Sequence, residues 1–160
     1  MSTQSIVNTG KVLHQLVIGQ VQGIPESLFD ITPAGFRNTI RWNVGHIVFW
    51  LDRYQQLCFG SASTIPATYE TLFNSGTKPA DWTISPPSQK ELVQQLANQL
   101  SQISEITPDM LQQDLKSPFV LGPFEFTTAA ELFNFALMHE AIHLGTITSQ
   151  QKAVQKPVSL

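Results

Sequence analysis

Apolar residues recur at helical spacing in four stretches of this chain. The first runs from about Thr3 to Gln22, with Ile6, Leu13, Leu16 and Val17 on one side. Gly10, Gly19 and Gly23 dilute its helical propensity, and Pro25 follows its end. The second runs from about Asn38 to Phe59. Asn38 or Thr39 can cap it, Ile40, Val44, Ile47, Leu51 and Tyr54 form its stripe, and Gly60 stops it. The third opens with the capping box Ser88-Gln-Lys-Glu91 after Pro86 and Pro87. Its stripe is Leu92, Leu96, Leu100 and Ile103, and Pro108 lies just beyond its end. The fourth opens with a second capping box, Thr128-Ala-Ala-Glu131, and continues to about Lys152, before Pro157.

The connections decide how these helices can be arranged. Residues 24–37 and 107–127 are moderate links, whereas residues 60–87 form a long stretch rich in Ser, Thr, Pro and Gly. That length exceeds what a tight helical hairpin needs. The expectation is an all-α four-helix bundle in which a crossover lets the second and third helices run parallel, giving up-down-down-up. FVLGPFEF, residues 119–126, can form a short hairpin around Gly122-Pro123. No internal repeat or low-complexity tract breaks the pattern, so residues 1–160 read as one domain.

Composition narrows the function classes. Hydrophobic residues make up 42% of the 160-residue chain and charged residues only 13%. So little charge is unusual for a surface facing water alone, and the apolar flanks of the fourth helix, including Phe133, Phe135 and Met138, lead to the expectation of a symmetric homodimer that buries part of the surface. The net charge is −3 and no basic block occurs, which argues against a nucleic-acid partner. No window holds 18 apolar residues, so no membrane span is expected. The first residues lack a basic segment followed by an apolar run, and Cys58 is the single cysteine. Both fit a cytoplasmic protein.

The chemistry concentrates in HEAIH, residues 139–143. Written H-E-x-x-H, this is the zinc metalloprotease signature, with two His ligands one helical turn apart and a Glu as general base. Leu132, Ala136, His139, His143 and Ile147 share one stripe, so both imidazoles face the core of the predicted bundle. Burying two unpartnered imidazoles is costly, and one metal ion would satisfy both. A peptidase of this kind takes its third ligand from downstream. The remaining sequence, LGTITSQQKAVQKPVSL, has no His, Asp or Glu, and Gly145 falls two residues after His143 rather than three. A third ligand therefore has to come from upstream, where His46 in RWNVGHIVFW and His14 in the first helix are the candidates.

RWNVGHI, residues 41–47, resembles the W-x-x-G-H element of the DinB/YfiT-like superfamily of four-helix-bundle metalloproteins. LMHEAIHLGTI, residues 137–147, resembles that family's H-x-x-x-H-x-G-Q-I element. Helix count, linker lengths and motif order resemble the family along the whole chain. The resemblance implies a metal site on His46, His139 and His143 and often a homodimer. Thr146 stands where the family commonly has Gln.

Three neutral imidazoles leave a coordination position open for water or substrate. Zinc and nickel both suit such a set. Two chemistries follow for a small-molecule substrate. Bound water could act as a nucleophile, as in hydrolases, or the metal could lower the pKa of a small thiol that attacks an electrophile. Some similar proteins are S-transferases or isomerases that use bacillithiol, mycothiol or glutathione, so the resemblance implies a transferase-like role in stress or detoxification. A non-catalytic metal-binding or interaction protein is the alternative from another class. Glu140 is a candidate for proton transfer at the pocket border, or else a partner for Arg41 or Arg53. Cys58 reads as an inert buried thiol, Trp42, Phe49 and Trp50 as core or dimer contacts, and Asn43 as a residue that can orient a ligand.

Overall fold

A computed structural model of the chain describes residues 2–155. Ser2 accepts a hydrogen bond from the Ser5 amide and opens α1, Thr3–Gln22. Thr39 does the same for α2, Ile40–Phe59, by accepting from the Trp42 amide, and Gly60 ends that helix in the left-handed conformation. Both halves of the Ser88–Glu91 capping box are formed at the start of α4, Gln89–Glu105. At the second box, the Thr128 hydroxyl accepts from the Glu131 amide and the Glu131 carboxylate accepts from the Thr127 and Thr128 amides. α6 follows, Ala129–Gln155. Its predicted neighbour Pro157 lies outside the described residues.

The linkers carry structure of their own. Residues 60–87 contain the short helix α3, Thr68–Phe73, and a 3-10 turn at Pro79–Asp81. Residues 107–127 contain α5, Pro108–Leu111, and β1, Asp114–Leu121, which pairs antiparallel with β2, Phe124–Thr128. The hairpin turns at Gly122-Pro123, with Gly122 at φ 56° and Phe119 opposite Phe126. Among the described residues the protein is thus mostly helical with one two-stranded sheet, so the all-α expectation broadly fits and the hairpin is added to it.

α2 packs most extensively on α6 and also against α4 and α3, while α1 lies on α4 and α6. Every residue of α2 from Ile40 to Phe49 is buried. A helix covered on all sides is central to its domain, and the crossover is what closes the side that the long helices leave open. The apolar core has two clusters. One gathers Val17, Val21, Ile40, Ile47, Phe73, Leu92 and Ile147; the other gathers Ile6, Val7, Leu51, Tyr54, Ile103, Leu132 and Phe133. Trp50 packs against both.

Two stripes differ from the expected ones. On α1 the buried face is Ile6, Val7, Gly10, His14, Val17 and Val21, while Leu16 is 59% exposed. A Cβ on Gly10 would stand 3.3 Å from the Leu137 side chain, so the glycine lets α1 approach α6 closely. On α4, Gln99 is buried and donates to the Val48 carbonyl, while Leu100 is only half-buried. In both helices a polar side chain with a buried partner displaced an apolar one from the inner face.

Candidate metal centre

The packing of α2 on α6 brings His46 against His139 and His143, which lie one turn apart. One nitrogen from each of the three rings lies within 4.8 Å of the others, a grouping that could hold a metal ion. The Nε2 atoms of His46 and His139 are 3.2 Å apart. Two nitrogens bound to one tetrahedral zinc at its usual bond length are separated by about 3.3 Å. The donor set and this spacing therefore fit a divalent ion.

Neighbours fix the tautomers of two of the three imidazoles. The Nδ1–H of His46 donates to the Phe73 carbonyl at 2.6 Å, at the end of α3. A carbonyl can only accept, so Nδ1 carries the hydrogen and Nε2 keeps its lone pair. His143 Nδ1 lies 2.8 Å from Asn43 Oδ1. The Asn43 amide donates to the Thr39 carbonyl and to Gln150 Oε1, and Gln150 in turn donates to the Asn38 carbonyl. With its NH2 group committed, Asn43 presents oxygen to His143, which must donate from Nδ1 and leave Nε2 free. Asn43 thus orients a histidine of the cluster.

Burial also favours the uncharged rings. Desolvation, then the proximity of His143, lowers the His46 pKa to about 3 despite the opposing hydrogen bond to Phe73. Desolvation and then His139 lower that of His143 to about 4, and desolvation lowers that of His139. The cluster is not sealed, because His139 and His143 are only half-buried.

Aromatic rings surround it. Trp42 stacks on His46 with ring centroids 4.4 Å apart. Trp50, Tyr54 and Phe135 flank His139, and Phe119 and Phe126 of the hairpin extend this wall through Tyr54 and Phe135. Trp42 and Phe49 are buried, while Trp50 is half-buried with its indole nitrogen enclosed and unpartnered among the described residues.

The remaining histidine is elsewhere. His14 is wholly buried, with Nδ1 2.6 Å from Glu140 Oε1 and Nε2 donating to the Leu96 carbonyl at 2.9 Å. Glu140 is 2% exposed. Its partner is therefore His14 and not either arginine: Arg41 is held by Asp30, Glu26 and the Pro87 carbonyl, and Arg53 is exposed. Cys58 is buried and its thiol is pushed up to about 12 by desolvation, which keeps it protonated and unreactive. The Thr146 hydroxyl donates to the Ile142 carbonyl of its own helix.

Sequence reasoning missed Phe73, Gln150 and the His14–Glu140 pair. Gln150 lies seven residues after His143, hence on the same face of α6, so helical spacing could have found it. Phe73 acts through a backbone carbonyl, for which no side-chain signal exists.

A model of the DinB superfamily matches residues 11–147, a span that contains both motif elements and all three clustered histidines. The chain belongs to the DinB superfamily. No curated protein sequence matches it.

Proposed function

We propose that this DinB-superfamily protein is a metal-dependent enzyme that holds one divalent ion, zinc or nickel, on His46, His139 and His143. We further propose that it transfers a small thiol to an electrophile, in a stress or detoxification role. The observation that carries the metal reading is the convergence of three imidazoles, two of them locked by Phe73 and Asn43 with Nε2 lone pairs available. Rings that are already neutral bind a metal ion without first losing a proton.

A divalent ion bound there would supply Lewis acidity, lowering the pKa of a thiol placed in its remaining coordination position. The chain's own residues do the rest. Trp50, Tyr54 and Phe135 exclude water on the His139 side and offer apolar surface to an electrophile. Cys58 is no internal thiol source, since twelve residues along α2 from His46 correspond to about 18 Å. The thiol therefore arrives with a small-molecule cofactor.

The proposed arrangement is an up-down-down-up four-helix bundle, with the crossover between α2 and α4. We place the protein in the cytoplasm as a homodimer. Of the residues expected on the dimer face, Phe133 is fully buried in the core and Phe135 half-buried, but Met138, Ile142 and Gly145 leave an uncharged outer face on α6 that a second copy can cover, with Met138 52% and Ile142 59% exposed. Among the described residues no helix is long and apolar enough to cross a membrane. The engagement of Glu140 by His14 favours a second reading, metal binding without turnover, because it occupies the acid nearest the site in sequence.

Elemental analysis of protein purified without an immobilised-metal resin should find about one zinc or nickel per chain. Cobalt-loaded protein should then develop a sulfur-to-cobalt charge-transfer band with bacillithiol, mycothiol, glutathione or coenzyme A, and Cys58→Ser should keep it. If none gives the band and the loaded protein hydrolyses an ester or amide, a hydrolase replaces the transferase. If it does neither, the non-catalytic reading stands.

A further inference from the structure

The crossover helix α3 packs on α2, and the contacts there converge on His46. Phe73 is fully buried and sits at the end of α3. Its ring lies against Gly45 so closely that a Cβ at residue 45 would fall 2.4 Å from it. That approach sets where the Phe73 backbone lies, and its carbonyl takes the Nδ1 hydrogen of His46. Trp42, one turn before His46, stacks on the imidazole at 22° between planes. The Trp42 indole donates to the Thr77 hydroxyl, and Thr77 donates back to the carbonyls of Leu72 and Asn74. The Trp82 indole donates to Leu72 as well. Two residues of RWNVGHI thus hold a third, one directly and one by admitting a neighbour.

We infer that Trp42 and Gly45 are positioning residues for His46, and that the crossover segment from Thr68 to Trp82 is the platform that fixes its ring plane and its tautomer. Trp42 sets the plane by stacking. Gly45 sets the tautomer by letting Phe73 come near enough for its carbonyl to hold Nδ1–H, which points the Nε2 lone pair at His139 and His143. A bulkier residue at position 45 leaves α2 a good helix, since alanine has the higher helix propensity, but lifts Phe73 away from it. The platform also explains the long crossover, because a short hairpin between α2 and α4 would leave His46 without a partner for Nδ1.

This inference rests on the proposed metal site, but its test is separable from it. Nitrogen-15 NMR of the metal-free protein reads the His46 tautomer directly. Wild type should show a single Nδ1–H form. Gly45→Ala should show mixed tautomers and bind cobalt about 10 to 100 times more weakly, the range typical for loss of a ligand's hydrogen-bond partner. Phe73→Val added to Gly45→Ala removes all three ring atoms that the new Cβ would meet, Cδ1, Cε1 and Cζ, but not the carbonyl, and should restore the Nδ1–H form. Should Gly45→Ala fail to fold, Trp42→Leu carries the test through cobalt affinity, which should fall about 10-fold or more, and an affinity within threefold of wild type there overturns the inference. It is equally overturned if folded Gly45→Ala keeps the wild-type tautomer. If wild type binds no cobalt but shows the single tautomer that Gly45→Ala loses, the metal proposal fails and the positioning stands.

Discussion

Replacing His14 by leucine should destabilise the protein far more than its size change warrants, and replacing Glu140 as well should recover most of the loss. His14 is 0% and Glu140 2% exposed, and their side chains meet at 2.6 Å between α1 and α6. His14→Leu strands a carboxylate whose other oxygen already has no partner among the described residues. Breaking a buried pair from one side typically costs about 3–5 kcal/mol, because the orphaned group stays desolvated. That is a large share of a domain's total of about 5–15 kcal/mol. Glu140→Leu should cost a similar amount. The double replacement puts two apolar side chains of comparable volume in contact and should cost no more than about 2 kcal/mol. The interaction energy from the cycle is then at least about 4 kcal/mol in magnitude. Urea unfolding of the metal-free protein followed by circular dichroism measures it. With a slope of about 2 kcal/mol/M, each single variant should lower the midpoint by about 2 M. Metal occupancy of folded His14→Leu should match wild type, because His14 lies outside the three-His cluster. Additivity of the two single effects within about 0.5 kcal/mol would refute the reasoning, as would a loss below about 1 kcal/mol for either.

Other outcomes follow from the same geometry. His46→Ala should lower metal occupancy as severely as His143→Ala, and elemental analysis showing wild-type occupancy in the His46 variant would reject the ligand set. Asn43→Leu should weaken cobalt binding about 10-fold or more, since His143 loses the acceptor for Nδ1–H; unchanged binding by competitive titration would show that His143 is oriented by packing alone. In the metal-free protein, His46 and His143 titrate at about 3 and about 4 when folded but near 6.5 when unfolded. The unfolded chain therefore binds more protons below pH 6.5, and stability falls as pH drops through that range. Each of the two contributes up to about 2 kcal/mol of loss between pH 6.5 and pH 5, so a urea midpoint that stays flat from pH 7 to pH 5 would contradict their burial as neutral rings. Light scattering should give twice the 17.8 kDa chain mass, and a monomer over a wide concentration range would count against the homodimer.

What could be read from the sequence was whatever a short local pattern controls. The two capping boxes, Thr39 and Gly60 set their helix ends through contacts within four residues, so the residue types announced them. HEAIH announced a pair of imidazoles because one turn of helix fixes their separation. The inner faces of α1 and α4 were harder. Periodicity counts apolar residues and gives no credit to a polar side chain that finds a buried partner, so His14 and Gln99 were passed over for Leu16 and Leu100. The hydrogen bonds that hold the His46 and His143 rings are long-range. Phe73 reaches His46 across 27 positions, and Gln150 reaches Asn43 across 107.

The two buried polar systems of α6 divide along the same helix by rotation alone. His139 and Glu140 are adjacent in sequence and about 100° apart around the axis. One ring turns to α2 and joins His46, while the neighbouring carboxylate turns to α1 and joins His14. If α6 turned so as to release Glu140 from His14, His139 and His143 would swing off His46 by the same angle. The glutamate of an H-E-x-x-H pattern is usually taken as the base beside a metal. Here its carboxylate is bonded across to another helix instead. Sequence pattern alone could not separate these roles, because both need the same residue at the same position. The separation depends on which neighbouring helix offers a partner, and His14 on α1 is that partner.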